Sequence, residues 1–213
     1  MGITHRITAL QQPCAAGDFS QSPAAILTIS AAKPPAAVPS AAKPPAAADG
    51  IAADRENGDP HPIKIWRTGK MIRTFRQSDM EPIMGIWLAG NLQAHSFIPE
   101  SYWRSNWEAV RGQIPEAEIC VWEEDGAVLG FIGLTDGYVA GLFTAEGHRS
   151  RGIGRRLLEH CRERYDCLTL RVYGRNRRAV NFYLREGFSI VSEETDEGTG
   201  EREYVMAWTS GNM

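Results

Sequence analysis

The stretch HRSRGIGRRLLEH, His148 to His160, sets Gly152 and Gly154 among arginines and passes at once into a helical pattern. Tyr138 to Thr144 reads as a strand, so the order is strand, short connection, Arg149-Ser-Arg-Gly-Ile-Gly154, helix. The first turn of a helix leaves backbone N–H groups unpaired and carries partial positive charge, and glycines let an anion come close to the main chain. The spacing predicts a phosphate site. A dinucleotide fingerprint needs a third glycine where this chain has Leu157, and a P-loop needs Lys-Ser or Lys-Thr where it has Arg155-Arg156. A bare G-x-G also suits a surface helix entered through a flexible turn. Against that, ten of the 16 arginines after Lys70 fall between Arg149 and Arg178, a concentration that favours an anion.

Working outward, EICVWEEDG, AVLGFIGL and YVAGLFTA are three strand-like runs joined by the turn signals Glu124-Asp125-Gly126 and Thr135-Asp136-Gly137, an antiparallel meander. Downstream the pattern alternates: helix (GIGRRLLEHCRERY), strand (CLTLRVY), helix (NRRAVNFYLREG), then the strands FSIVSEE and EREYVMAW. Upstream, MIRTF reads as a short strand. Ser78 with Glu81 three residues later has capping-box spacing for a helix whose face carries Ile83, Ile86, Trp87 and Leu92. PESYWRSNWEAVRGQ fits one second helix. A meander feeding a strand-helix-strand-helix unit predicts an α/β (mixed α+β) domain around one central sheet.

The domain boundary is read at Met71. Residues 31 to 47 hold AAKPPAA twice in an Ala/Pro/Ser-rich background, which cannot bury enough apolar surface to offset the entropy of ordering it. Residues 1–70 are therefore expected to be a disordered tail or linker, and 71–213 the folded domain; a start placed too far upstream, with Met71 the true first residue, gives the same pattern. The tail holds all four lysines (Lys33, Lys43, Lys64, Lys70), whereas the domain has 16 arginines against 21 acidic residues, a balance of -5. With a net charge of -3 over 213 residues, the chain is not a basic nucleic-acid binder, and no run is long and apolar enough to span a membrane. The start has no signal-peptide pattern, so a cytoplasmic protein is expected. The four cysteines form no C-x-x-C pair and no histidine stands at ligand spacing, so no metal is expected; Cys161 falls on an apolar helix face and reads as core.

Arg149-x-x-Gly152-x-Gly154, after a strand and opening a helix, resembles the acyl-CoA pyrophosphate loop of the GNAT superfamily of N-acetyltransferases. The segment Asn176-Arg-Arg-Ala-Val-Asn-Phe-Tyr183-Leu-Arg-Glu-Gly-Phe is similar to that family's Asn...Tyr...Gly-Phe helix. Together these cover Met71 to Trp208 in the family's element order. SYWR, VWEEDG, LGF, RGIG and VNFY look most like a small enterobacterial protein-lysine acetyltransferase. The resemblance implies a GNAT fold: a central mixed, mostly antiparallel sheet of six or seven strands flanked by about four helices. It implies acetyl-CoA as cosubstrate, with Leu142, Phe143 and Thr144 offering main-chain groups to the pantetheine arm and Arg149, Ser150, Arg151, Gly152, Ile153, Gly154 and Arg155 wrapping the pyrophosphate. Asn176 joins these as a cofactor-binding residue and Tyr183 is the expected general acid. Independently, Asn176, Ala179 or Val180, and Tyr183 share one helix face, with small Ala179 leaving room against it.

The reaction so implied is attack of a neutral amine on a thioester, with a phenol of pKa about 10 protonating the leaving thiolate. A lysine ammonium of pKa about 10.4 is only about one part in 2,500 neutral at pH 7, a penalty near ~4.6 kcal/mol that a base or a desolvating site must offset. Many relatives place a glutamate for this in a Leu-Glu-Val context, where this chain reads Leu170-Arg171-Val172. Glu123, Asp136, a water relay and His95 are the candidates left. The aromatic segment Phe97, Tyr102, Trp103, Trp107 and the acidic hairpin SEETDEGTGERE are expected to border the acceptor groove and attract a cationic amine. Acceptors compatible with these motifs are a protein lysine, a small-molecule amine and the amino group of a charged tRNA. Lys64 or Lys70 acetylated in cis is a further expectation. A non-catalytic acyl-CoA-binding module is the alternative from another class; a monomer and a homodimer are both compatible.

Overall fold

The computed structural model describes residues 64–66 and 69–211, so most of the expected tail lies outside the described residues. Eight strands form one sheet in the order β1-β2-β3-β4-β5-β6-β8-β7. β1 (Lys64–Trp66) and β2 (Lys70–Thr74) form an antiparallel pair, so the sheet starts upstream of the expected boundary at Met71. The meander is β3 (Glu118–Glu124), β4 (Ala127–Thr135) and β5 (Tyr138–Thr144), joined by tight turns in which Asp125, Gly126, Asp136 and Gly137 all have positive φ. β6 (Cys167–Tyr173), β7 (Ser189–Thr195) and β8 (Arg202–Thr209) complete it, and β5–β6 is the sheet's one parallel neighbour pair. The expected sheet thus gains the short β1.

The sheet is covered on both faces. On β3, Cys120 and Trp122 point to one core and Ile119 and Val121 to the other, the period-two alternation of a strand buried on both sides. One face carries α1 (Met80–Ala94), α2 (Glu100–Ser105) and α3 (Trp107–Gln113); the other carries α4 (Ile153–Arg162) and α5 (Arg177–Arg185). Among the described residues five α-helices stand where about four were expected, because the second one breaks at Asn106. Its side-chain amide donates to the carbonyl of Tyr102 at 2.7 Å, the local competition with the helix ladder that asparagine offers. Ser78 is not the cap of α1 either. Residues Gln77–Asp79 form a 3-10 turn, and the Asp79 carboxylate accepts the backbone N–H of Arg76 at 2.7 Å.

Asp79 also anchors a buried ion network. The Arg73 guanidinium grips both Asp79 oxygens at 2.6 and 2.9 Å and reaches Glu123 Oε2 at 2.7 Å. Burial pushes the Asp79 carboxyl up, but the hydrogen bonds from Arg73 and Arg76 outweigh it and hold the group below the usual carboxylate range. Cys161 is fully buried on α4, as expected, and burial pushes its thiol up to about 12. Among the described residues no helix is long and apolar enough to cross a membrane.

Candidate active site

β5 and β6 run parallel but meet at a single register pair, Tyr138 opposite Thr169. Beyond it they splay, and a cavity of about 520 Å³ opens between them, lined by Ala140 to Thr144 on one side and Arg171 to Tyr173 on the other. Where the two strands diverge, the edge of Leu142 to Thr144 that faces away from β4 borders the cavity, and an extended amide-bearing ligand can meet main-chain groups there. The same cavity runs past the start of α4 and along α5.

Eleven of the twelve residues singled out in the sequence line it: Leu142, Phe143, Thr144, Arg149, Ser150, Gly152, Ile153, Gly154, Arg155, Asn176 and Tyr183. The loop is shaped by backbone choices. Ser150 and Gly152 have φ of 63° and 81°, and Gly152 is the N-cap of α4, so α4 starts from a turn of left-handed residues. A Cβ on Gly154 would stand 3.3 Å from Phe182 Cζ, so glycine lets α5 pack against the first turn of α4.

The arginine cluster divides. Arg151 departs from its expected place: it turns to Glu124 at 2.9 Å, outside the cavity lining. Arg155 ion-pairs with Glu159 at 2.7 Å, Arg162 lies over the Trp208 ring at 4.6 Å, Arg164 pairs with Glu118, and Arg175 pairs with Glu201 at 2.8 Å. Arg149 and Arg178 both face the cavity, and burial together with the charge of Arg178 pulls the Arg149 guanidinium below its ordinary range. Two cations that disfavour each other at a helix N-terminus fit a polyanion such as a pyrophosphate.

On α5 the Asn176 side chain caps the helix, its Oδ1 accepting the N–H of Ala179 at 3.1 Å. Its Nδ2 then donates to His95 Nε2 at 3.1 Å, while His95 Nδ1 meets Asn91 Oδ1 at 3.2 Å and Asn91 Nδ2 donates to the Trp87 carbonyl at 3.0 Å. Both ends of this chain require the same tautomer, with the proton on Nδ1. Trp103 stacks on the His95 ring with centroids 5.3 Å apart, and Phe97 and Tyr173 meet it edge-on. That burial lowers the imidazole to about 4. With Nε2 already accepting a hydrogen bond from Asn176, His95 has no free ring nitrogen turned to an amine. Its partners Trp87 and Asn91 precede it at steps of four residues on α1, a spacing visible in the sequence but not singled out there.

Tyr183 is nearly buried, packed edge-on to Phe182 and Phe188 at 5.2 and 5.4 Å, and burial pushes its phenol up, so it is protonated near neutrality. Two of the candidate bases stand away from the cavity. Glu123 is held by Arg73, and neither it nor Asp136 lines the cavity. Lys70 pairs with Glu124 at 3.2 Å and also lies outside the lining, and the side chain of Lys64 is outside the described residues. The lining adds residues the sequence reading missed, chiefly Arg178 and Glu203. Glu203 was read only as part of the acidic hairpin expected to border the acceptor groove, because the sequence does not show which of that hairpin's acids turns inward. Among the described residues no group of three His, Cys, Asp or Glu is placed to hold a metal ion.

The comparisons with known proteins agree with this geometry. Residues 115–190 match the model of the Acetyltransferase (GNAT) domain. The chain is 36% identical over 140 residues to the Peptidyl-lysine N-acetyltransferase YiaC of Escherichia coli (strain K12), covering 65% of this chain and 96% of that protein. It is 31% identical over 132 residues to the Peptidyl-lysine N-acetyltransferase YjaB of Salmonella typhimurium, covering 61% of this chain and 90% of that one. The solution structure of apo-form YjaB from Escherichia coli superposes with a TM-score of 0.60 at 28% identity, covering 65% of this chain and 97% of that one. A β5–β6 split that opens onto a glycine-arginine helix start, in a chain this similar to such relatives over nearly their whole length, places the protein in the GNAT family of N-acetyltransferases.

Proposed function

We propose that residues 71–213 transfer an acetyl group from acetyl-CoA to a primary amine, and that the amine is a lysine side chain of a protein. One observation carries the reading: the splayed β5–β6 edge, the α4 loop and Tyr183 line a single cavity. A thioester cosubstrate has an extended amide-bearing arm, a pyrophosphate and a reactive acyl end, and the three parts of the cavity offer a match to each in that order. Leu142, Phe143 and Thr144 supply main-chain groups for the arm. Arg149, Ser150, Gly152, Ile153, Gly154 and Arg155 supply loop N–H groups and charge for the pyrophosphate, Arg178 adds a second guanidinium, and Arg151 is left at the rim with Glu124. Asn176 fixes the start of α5 and so the position of Tyr183 two turns on.

The chemistry follows from the protonation states. Tyr183, held neutral by burial, donates its proton to the thiolate as the C–S bond breaks. A raised phenol is a weaker acid, but a thiolate expelled into the same apolar surroundings is a correspondingly stronger base. Protein lysine is favoured over a small amine by the names of YiaC and YjaB, both peptidyl-lysine N-acetyltransferases. The reading places the protein in the cytoplasm.

The test is an acceptor screen. The full chain is mixed with acetyl-CoA and, separately, lysine peptides, polyamines and aminoacyl-tRNA, with release of free thiol and acceptor mass followed together. Acetylated lysine peptide is the expected product; transfer only to a small amine or to charged tRNA would replace the acceptor. Tight acetyl-CoA binding with no transfer would make the chain a binding module.

A further inference from the structure

A primary amine reaches a thioester as an ammonium, so acetyl transfer needs a proton acceptor inside the cavity. The acidic side chains that line it are Glu186 and Glu203. Glu186 sits at the C-terminal cap of α5, the end away from Asn176. Glu203 lies on β8 opposite Tyr173 of β6, at the end of the cavity where His95 and Trp103 also stand. The histidines do not compete: His95 Nε2 is taken by Asn176, and His148 belongs to the loop with Arg149 and Gly152.

Glu203 is only 2% exposed, and the Arg171 Nη1 that meets its Oε1 at 2.6 Å leaves Oε2 unheld by that guanidinium. Arg171 Nη1 is shared with Glu194 at 2.7 Å. Asp196, just beyond β7, receives Tyr173 Oη–H at 2.6 Å and Thr199 Oγ1–H at 2.7 Å. Glu194 and Glu203 therefore share the one guanidinium of Arg171, and Asp196 adds a further negative charge beside Glu203. That corner has room, electrostatically, for one more cation.

We propose that Glu203 is the carboxylate that receives the acceptor's ammonium and takes its proton. The inference rests on the acetyl transfer proposed above and assigns its base. The ammonium gives one proton to Glu203, and the neutral nitrogen forms the C–N bond with the acetyl carbon. The C–S bond breaks, Tyr183 protonates the departing thiolate, and the tyrosinate recovers the second nitrogen proton. Glu203 then releases its proton to solvent, so the products are amide, free thiol and one H⁺. Burial and the neighbouring Asp196 and Glu194 push the Glu203 carboxyl up while Arg171 pulls it down, and the net is upward, the direction that makes a carboxylate a better base.

The experiment compares wild type and Glu203→Gln with acetyl-CoA and a lysine peptide across pH. At neutral pH the variant is expected to lose about a hundredfold in kcat/KM, with acetyl-CoA affinity near wild type and a lower melting temperature from the broken Arg171 pair. Its rate should climb with unit slope as pH rises toward about 10, where the free amine becomes abundant without a base. Loss by one factor at every pH would make Glu203 structural and overturn the assignment, as would a rate equal to wild type. If Glu203→Gln does not fold, Arg171→Gln serves. The groups facing Glu203 are Arg171 and Tyr173 of β6, Glu194 of β7, Asp196 and Tyr102 of α2. Removing Arg171, the one cation among them, should move the acidic limb of the pH–rate profile upward; an unmoved limb overturns the assignment. A wild type that acetylates no amine takes both readings down, whereas an active wild type matched by Glu203→Gln removes Glu203 alone.

Discussion

Asn176 Nδ2 donates to His95 Nε2 across 3.1 Å, tying the N-cap of α5 to the residue that ends α1. The contact crosses the sheet through the β5–β6 split, so the two helical layers are coupled where the cavity passes between them. Because the imidazole accepts this bond only when neutral, the coupling depends on pH. The folded value is about 4 against about 6.5 for an exposed histidine. The unfolded chain therefore binds the extra proton between those values. The stability contributed is full above pH about 6.5 and is lost as pH falls toward about 4, amounting to about 3 kcal/mol at most. Denaturant unfolding of wild type and His95→Gln across this range should show a steeper acid loss for wild type; parallel curves would sink the idea.

The two facing guanidiniums make a different kind of prediction. Arg149 and Arg178 both face the cavity at the α4 loop, and burial together with the charge of Arg178 disfavours the charged form of Arg149. Arg149→Gln should leave the free protein as stable as wild type or more so, while weakening acetyl-CoA binding by about tenfold, the loss of one charge-assisted contact. Calorimetric affinity and the melting temperature with and without acetyl-CoA read the two effects separately. A destabilised free protein with unchanged affinity would mean that Arg149 is structural.

Gly152 combines a φ of 81° with open space around its absent Cβ. Gly152→Ala therefore tests backbone conformation rather than crowding, and the left-handed backbone should cost about 1–2 kcal/mol of stability. Gly154→Ala tests the reverse, since its Cβ meets Phe182 at 3.3 Å in a backbone any residue tolerates. The first variant is expected to lose more acetyl-CoA affinity than the second, because it redirects the loop's N–H groups. Equal losses would place packing against α5, not loop geometry, in control of binding.

How much of this was legible in the sequence divides along physical lines. Local signals read well: the Asp-Gly turns fixed the meander, and the glycine spacing located the start of α4, because each depends on a few adjacent residues. The Asn106 break and the 3-10 turn closed by Asp79 were missed since they are settled by side-chain hydrogen bonds that Asn and Ser or Asp offer at many positions. The partners of charge were the least legible. Arg151 and Arg149 are two residues apart and look alike, yet one finds Glu124 on β3 and the other faces the cavity. Glu123 was named as a candidate base, while Glu203 was one charge among many in the acidic hairpin. Only the sheet register shows that one meets Arg73 behind β3 and the other meets Arg171 beside the cavity.

That division makes Glu123 a useful control. It belongs to a buried network with Arg73 and Asp79, so Glu123→Gln should lower stability while leaving kcat/KM within about twofold of wild type. Breaking a buried pair is strongly destabilising, and Asp79→Asn, which removes the bidentate partner, should cost about 3–5 kcal/mol. A Glu123→Gln protein that folds normally but fails to transfer would return the base to β3.

Tyr183 sits where these effects converge, on the last turn of α5, between the Phe182 and Phe188 rings and beside the cavity. Tyr183→Phe keeps the ring and its packing and removes only the phenolic hydroxyl with its proton. The expected result is a fall in kcat of about tenfold to a hundredfold, with acetyl-CoA affinity and melting temperature unchanged. The loss should shrink when the departing thiolate needs no proton, as with an aryl thioester of low thiol pKa in place of acetyl-CoA. A variant equally slow on both thioesters would show that Tyr183 orients the acyl group instead of protonating what leaves it.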